Sequence, residues 1–259
     1  MIEYRRRVVD DELDTLLSEV PAVMLDGPKA VGKTETALRR ATTIRRLDDP
    51  AQRVPVEADP NLVAGDPPTA LLDEWQQVPA VWDAVKRAVD AGAPAGSFLL
   101  TGSADQRGAT HSGAGRIVTV RLRPMTLAER GVGTPTVSLA DLFTGRRPDV
   151  RGTSELTLRD YTEEIVASGF PGLRGLTPRT LRAQLDGYLE RVITRDMPDA
   201  GHRVQRPATL RAWLTAYAAA TAEPVSYEKI RDAATAGEVN KPARSTVGPY
   251  IDVLSALRI

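Results

Sequence analysis

Cysteine is absent from this 259-residue chain, so neither a disulfide framework nor a thiolate-held metal can organise it. Histidine is nearly absent: His111 and His202 are the only two and lie far apart in sequence, which argues against a histidine-based zinc site. No apolar run approaches the length of a membrane span. The N-terminal Met1-Ile2-Glu3-Tyr4-Arg5-Arg6-Arg7 is not followed by the apolar core of a signal peptide, so a cytoplasmic protein without membrane contact is the simplest reading. Net charge is lacking as well. With 34 basic against 34 acidic residues there is no polybasic tail, although a local basic patch stays open. Lysine is scarce, supplying five of the basic residues against 29 arginines, so Lys29 and Lys33 within one short segment stand out.

That segment reads Gly27-Pro28-Lys29-Ala30-Val31-Gly32-Lys33-Thr34, a complete G-x-x-x-x-G-K-T phosphate-binding loop. Its glycines let backbone N–H groups converge on phosphates. Lys33 brings a point charge to the β/γ-phosphates, and the Thr34 hydroxyl is a ligand for Mg²⁺. The flanks agree: Pro21 to Leu25 is an apolar run suited to a strand buried on both faces, and Glu35 to Ala41 holds helix formers without Gly or Pro. The loop thus opens into a helix N-terminus, where the macrodipole favours phosphate. The predicted ligand is a nucleoside triphosphate.

Before that loop, Asp11 to Val20 carries Leu13, Leu16, Leu17 and Val20 at helical spacing. Further strands are expected at Thr43 to Leu47, Thr69 to Leu72, Ser97 to Thr101 and Ile117 to Leu122, with a helix over Val78 to Ala91. Strands alternating with helices imply an α/β layer fold with a parallel sheet. Gly131, Gly133, Pro135, Gly145, Pro148 and Gly152 then break the pattern and end the sheet domain. Helical patterns follow at Leu156 to Ala167, Pro178 to Arg195, Pro207 to Ala222, Ser226 to Ala234 and Ser245 to Leu257. The expected organisation is a core over 1–130, a linker and helical region over 131–204, and a segment over 205–259. The last stops within an apolar helical pattern, as a truncated domain would.

Nucleotide hydrolysis needs a second carboxylate site, because Mg²⁺ and the attacking water must both be positioned. Asp73-Glu74, directly after Ala70-Leu71-Leu72, supplies it, with Asp73 for the metal and Glu74 to orient and deprotonate water. The same pair also suits the acidic N-terminus of the next helix. Phe98-Leu99-Leu100-Thr101-Gly102-Ser103 ends a second apolar run in hydroxyls that can bond the γ-phosphate or form an ordinary turn. Arg116, just before the fifth strand, can serve the γ-phosphate of a neighbouring subunit or lie on the surface like most arginines.

With these pieces in order, the chain resembles the AAA+ branch of the P-loop ATPases. More narrowly, it resembles the prokaryotic family in which an AAA+ core is fused to an uncharacterised C-terminal domain. The resemblance rests on Leu25 through Thr34, Leu72-Asp73-Glu74-Trp75-Gln76-Gln77-Val78-Pro79, Phe98 through Ser103, Gly115-Arg116-Ile117, and Leu122 through Glu129. Ser168-Gly169-Phe170-Pro171 matches a Gly-Phe-Pro element found after the core. It implies strand order 5-1-4-3-2, ATP as the nucleotide, Ser103 as the sensor of the fourth strand, and Arg116 as an arginine finger. It also implies a ring or dimer that completes the active site, and relatives that continue past the point where this chain stops.

The three C-terminal helical stretches resemble a winged helix. Lys241, Arg244, Thr246 and Tyr250 would face DNA if Ser245 to Leu257 entered a major groove; packing on the core or on a protein client would instead bury Tyr250, Ile251 and Leu254. The functional expectation is a Mg²⁺-dependent ATPase that couples hydrolysis to conformational change. A nucleotide-gated DNA- or protein-binding regulator with little turnover and a P-loop phosphotransferase remain as rivals.

Overall fold

Apolar runs too short for helices, Ala22–Asp26 (β1), Ala70–Asp73 (β3) and Phe98–Gly102 (β4), form the middle of a parallel sheet with every residue buried. Strands covered on both faces need apolar side chains at every position, not alternate ones. The two edges obey the other rule: Thr43–Arg46 (β2) and Ile117–Arg121 (β5) alternate inward and outward residues. The computed structural model describes residues 4–102, 113–147, 149, 151–202, 204–236 and 244–258, the side chains of 244–247 excepted.

The sheet order is β2-β3-β4-β1-β5, which is 5-1-4-3-2 read from the other edge, and every neighbouring pair is parallel. Asp26 aligns with Gly102 and Arg121, and Asp73 with Thr101, so the strands' carboxyl ends form one edge. Pleat parity divides the core. Ala22, Met24, Ala70, Leu72, Phe98 and Leu100 face Val56 of α3 (Pro50–Ala58) and Val81, Trp82 and Val85 of α4 (Ala80–Asp90). Val23, Leu25, Leu71 and Leu99 face the opposite way, onto Leu13 of α1 (Val9–Glu19) and Ala37 of α2 (Lys33–Leu38).

The chain divides into two compact units, Met1–Gly175 and Leu176–Ile259. The first takes in α5 (Leu139–Phe143) and α6 (Leu158–Ala167), whose Thr157 and Asp160 form a capping box. The Met125 N–H donates to Gly169 O at 2.7 Å, and Arg130 pairs with Glu164 at 3.1 Å, so the segment after the sheet is tied back to it.

The second unit is helical among its described residues. Helix α7 (Pro178–Arg191) passes through a π turn at Val192–Asp196 into α8 (Met197–Asp199), so the helical pattern expected to reach Arg195 changes hydrogen-bond register earlier. Helices α9 (Pro207–Ala219), α10 (Tyr227–Ala234) and α11 (Arg244–Ala256) follow, and the Ser226 hydroxyl caps α10 as its position suggests. Val192, Ile193, Met197, Leu210, Trp213, Ile230 and Leu254 make the core of this unit. Tyr250 belongs to it. It is 6% exposed and meets His202 edge-on at 5.5 Å, so it cannot be a DNA-facing residue of α11. Of the other residues expected at such a surface, Lys241 lies outside the described residues, as do the side chains of Arg244 and Thr246.

Candidate functional site

The phosphate loop leaves β1 at Asp26 and enters α2 at Lys33, across the edge where the strand ends gather. Gly27 has no room for a side chain, since a Cβ there would stand 2.2 Å from the Leu122 carbonyl oxygen. Ala30 at φ +63° and Gly32 at φ +103° turn the backbone through left-handed conformations, the geometry that curls successive N–H groups into an anion-binding concavity. Pro28, Lys29 and Val31 complete the turn, with Val31 buried beneath it.

Lys33 is 6% exposed, and its ammonium donates to Gly27 O at 2.8 Å and Pro28 O at 2.9 Å. Burial pulls its pKa below the ordinary lysine value, with Lys29 acting in the same direction, while the carboxylates of Glu74, Asp26 and Asp73 oppose the fall. A buried ammonium whose hydrogen bonds go to two neutral carbonyls keeps its charge available for an anionic ligand.

Asp73, also 6% exposed, ends β3. The Thr34 hydroxyl donates to its Oδ1 at 2.9 Å, and the Thr101 hydroxyl of β4 donates to the same oxygen. A buried carboxylate beside a phosphate-loop hydroxyl is a hard-oxygen donor pair. Such a pair suits Mg²⁺, which takes one or two protein oxygens and fills its other positions with phosphate and water. The donors therefore fit the metal. Among the described residues no group of three or more His, Cys, Asp or Glu could hold an ion by itself.

Glu74 follows at φ +54°, a left-handed conformation that costs a non-glycine residue about 1 kcal/mol. Buried neighbours enforce it: Asp73 is fixed in the sheet, and Trp75 is buried against Trp82 with ring centroids 4.8 Å apart. The Gln76 amide donates to Glu74 Oε2. Asp73 and Glu74 thus occupy a strand end and the turn after it, not the first turn of α4, which starts at Ala80.

Arg116 sits elsewhere. It precedes β5, whose first residue pairs with Ala22 at the amino end of β1, so it lies at the opposite end of the sheet from the loop, about 15 Å of strand away. It is 43% exposed and pairs with Asp90 at 2.8 Å. Ser103 lies outside the described residues; the β4 hydroxyl that meets Asp73 is that of Thr101.

Two further residues of the site carry little sequence signal. Arg7 is buried and donates to Val31 O of the loop at 3.0 Å, to Arg123 O at 2.6 Å and to Glu129 Oε1 at 3.1 Å. Nothing in Arg5-Arg6-Arg7 singles it out. Thr101 is reachable only by pairing β4 with β3 in register, which puts it beside Asp73. A cavity of about 550 Å³ opens next to the loop, lined by Tyr4, Arg7, Gly32, Thr36, Pro171 and Gly172 among others.

Residues 19–130 match the family described as AAA domain, the span that holds the loop, Asp73, Glu74 and the whole sheet. This part of the chain is an AAA domain. Residues 158–259 match a domain of unknown function, DUF8612. Uncharacterised proteins of Mycobacterium tuberculosis and Mycobacterium bovis are each 28% identical over 216 residues, covering 80% of this chain and 43% of their own length. The chain thus spans less than half the length of these curated relatives. A Walker-type ATPase of Pyrococcus abyssi aligns with a TM-score of 0.49 at 13% identity, covering 99% of this chain and 90% of that one. Membership of the AAA domain family implies ATP binding and a P-loop ATPase fold. No helix among the described residues is long and apolar enough to cross a membrane.

Proposed function

We propose that the chain binds ATP with Mg²⁺ and hydrolyses it, coupling turnover to a change of conformation. The observation that carries this reading is the junction at Asp73: one buried carboxylate oxygen receives the Thr34 hydroxyl of the loop while Glu74 stands next to it in the chain. A phosphotransferase needs the loop, but not a carboxylate fixed beside the metal-binding one. When bound, Mg²⁺ would be held by Thr34 and Asp73 and would neutralise charge on the transferring phosphoryl group. Lys33 supplies the fixed positive charge for the phosphates, Glu74 takes the proton of the attacking water, and Thr101 keeps Asp73 in place. The cavity beside Gly32 has the size and position for the nucleoside, since pockets of a few hundred Å³ take ligands of this kind.

Arg116 fits this scheme only in trans. Its own loop lies at the far end of the sheet, so a transition-state role requires a neighbouring copy, and the proposed working form is an oligomer. Ser103 stays in the proposal as the residue after β4 that senses the γ-phosphate, on the family resemblance. The client, protein or DNA, is left to the second unit.

The test is Glu74→Gln. ATP affinity should stay within about twofold of wild type while phosphate release slows at least about a hundredfold, the lower end for loss of a positioned base. Unchanged slow turnover in both proteins would favour a nucleotide-gated regulator instead.

A further inference from the structure

We propose that Gln76 is the positioning residue for the lytic carboxylate: its amide holds one oxygen of Glu74 and leaves the other for water. This rests on Glu74 acting as the base.

The argument begins with the backbone. The left-handed Glu74 opens a single 3₁₀ turn, Trp75–Gln77, closed by the Gln77 N–H on Glu74 O at 2.9 Å and the Val78 N–H on Trp75 O at 2.9 Å. Glu74 and Gln76 flank Trp75 in this turn. Trp75, buried between them, anchors the turn in the core, so Glu74 and Gln76 both project from a fixed base. The Gln76 amide then donates to Glu74 Oε2, which leaves Oε1 as the oxygen able to accept from water. Glu74 directly follows Asp73, whose Oδ1 accepts the Thr34 hydroxyl of the loop at 2.9 Å, so the held carboxylate stands next in the chain to the contact between loop and strand end.

The neighbouring strand makes room for this arrangement. A Cβ on Gly102 would lie 2.3 Å from Gln76 Oε1 and 2.9 Å from Trp75 Nε1, so the last residue of β4 must stay bare for the amide to sit where it does. An amide also has the right chemistry. It donates to the carboxylate without adding a charge that would compete for it, whereas Lys or Arg would pair with Glu74 and withdraw it from proton transfer. An apolar side chain would leave the carboxylate free to rotate out of reach of the water, and geometry of this kind is worth large factors in rate.

The experiment is a double-mutant cycle on the full chain, measuring kcat and KM for ATP in Mg²⁺ together with the affinity for a fluorescent ATP analogue. Gln76→Met keeps length and removes the donor. We expect KM and analogue affinity within about twofold of wild type and kcat lower by about tenfold or more. In the Glu74→Gln background the same change should cost less than about twofold, because residues that act through one group do not multiply. A Gln76→Met kcat at or above the wild-type value overturns the proposal, and so does a loss that multiplies fully with Glu74→Gln. Should Gln76→Met fail to fold, Gly102→Ala displaces the amide from the β4 side; the same selective fall in kcat supports the proposal and a wild-type kcat overturns it. If Glu74→Gln alone turns over at the wild-type rate, it is the base assignment that fails, and this inference with it; a defective Glu74→Gln beside a normal Gln76→Met removes only the inference.

Discussion

Lys33 carries a charge into the interior at a cost to the free protein. Its ammonium is buried among loop carbonyls, and burial lowers its pKa from the ordinary lysine value, so in the free protein the charged form opposes folding at neutral pH. The sign follows from linkage: a depressed lysine destabilises below its folded pKa, and the penalty lifts as pH rises through that value. An uncharged side chain of similar length should therefore cost the free protein little. Lys33→Met should unfold within about 1 kcal/mol of wild type, because a buried charge and an apolar isostere often balance. The same variant should lose the stabilisation that ATP gives the wild type, about 2.7 kcal/mol at a hundredfold excess over Kd. Thermal unfolding with and without ATP checks both; an ATP-dependent rise equal to that of wild type would remove the loop from the binding site.

Among elements, the N-terminal segment before α1 is a structural part of the site. Arg7 reaches beneath the loop to Val31 O, and its partner Glu129 also accepts the N–H groups of Val8 and Thr126, both at 2.7 Å. Burial would raise the Glu129 carboxyl, but the backbone donors at Thr126 and Val8 and the Arg7 charge outweigh it and hold its pKa below the ordinary glutamate value. Stability from such a group is complete above the unfolded pKa, about 4.3, and is lost as pH falls through the lower folded value. Glu129→Gln should cost about 3 kcal/mol at pH 7, since it leaves a buried guanidinium without its counter-charge. Urea unfolding from pH 7 to pH 3 should show the gap to wild type closing on the acid side. A gap independent of pH would mean that Glu129 acts by shape alone.

At the scale of the whole molecule, Arg116 and the loop occupy opposite ends of one sheet, so the proposed role of Arg116 at the γ-phosphate requires a second copy. Arg116→Ala and Glu74→Gln should each be inactive. Mixed in equal amounts and allowed to assemble at random, about a quarter of sites would receive Glu74 from one chain and Arg116 from another, so about that share of activity should return. No recovery in assemblies shown to mix would leave Arg116 with its surface partner Asp90 and no part in catalysis.

What the sequence determined by itself was local and periodic. The loop motif, the apolar runs of β1, β3 and β4, and the carboxylates after Leu72 lie in contiguous residues whose chemistry is complete within a few positions. The strand order came from likeness to a family and not from pattern, since periodicity says that strands are buried but not which one lies beside which. The tertiary structure alone brought Thr101 to Asp73, folded Arg7 under Val31, and buried Tyr250 in the second unit. Each of these depends on register or packing between residues far apart in the chain. Tyr250 illustrates the limit: at helical spacing it suited either a groove or a core, and the choice fell to His202 and Trp213, which the sequence places 48 and 37 positions earlier.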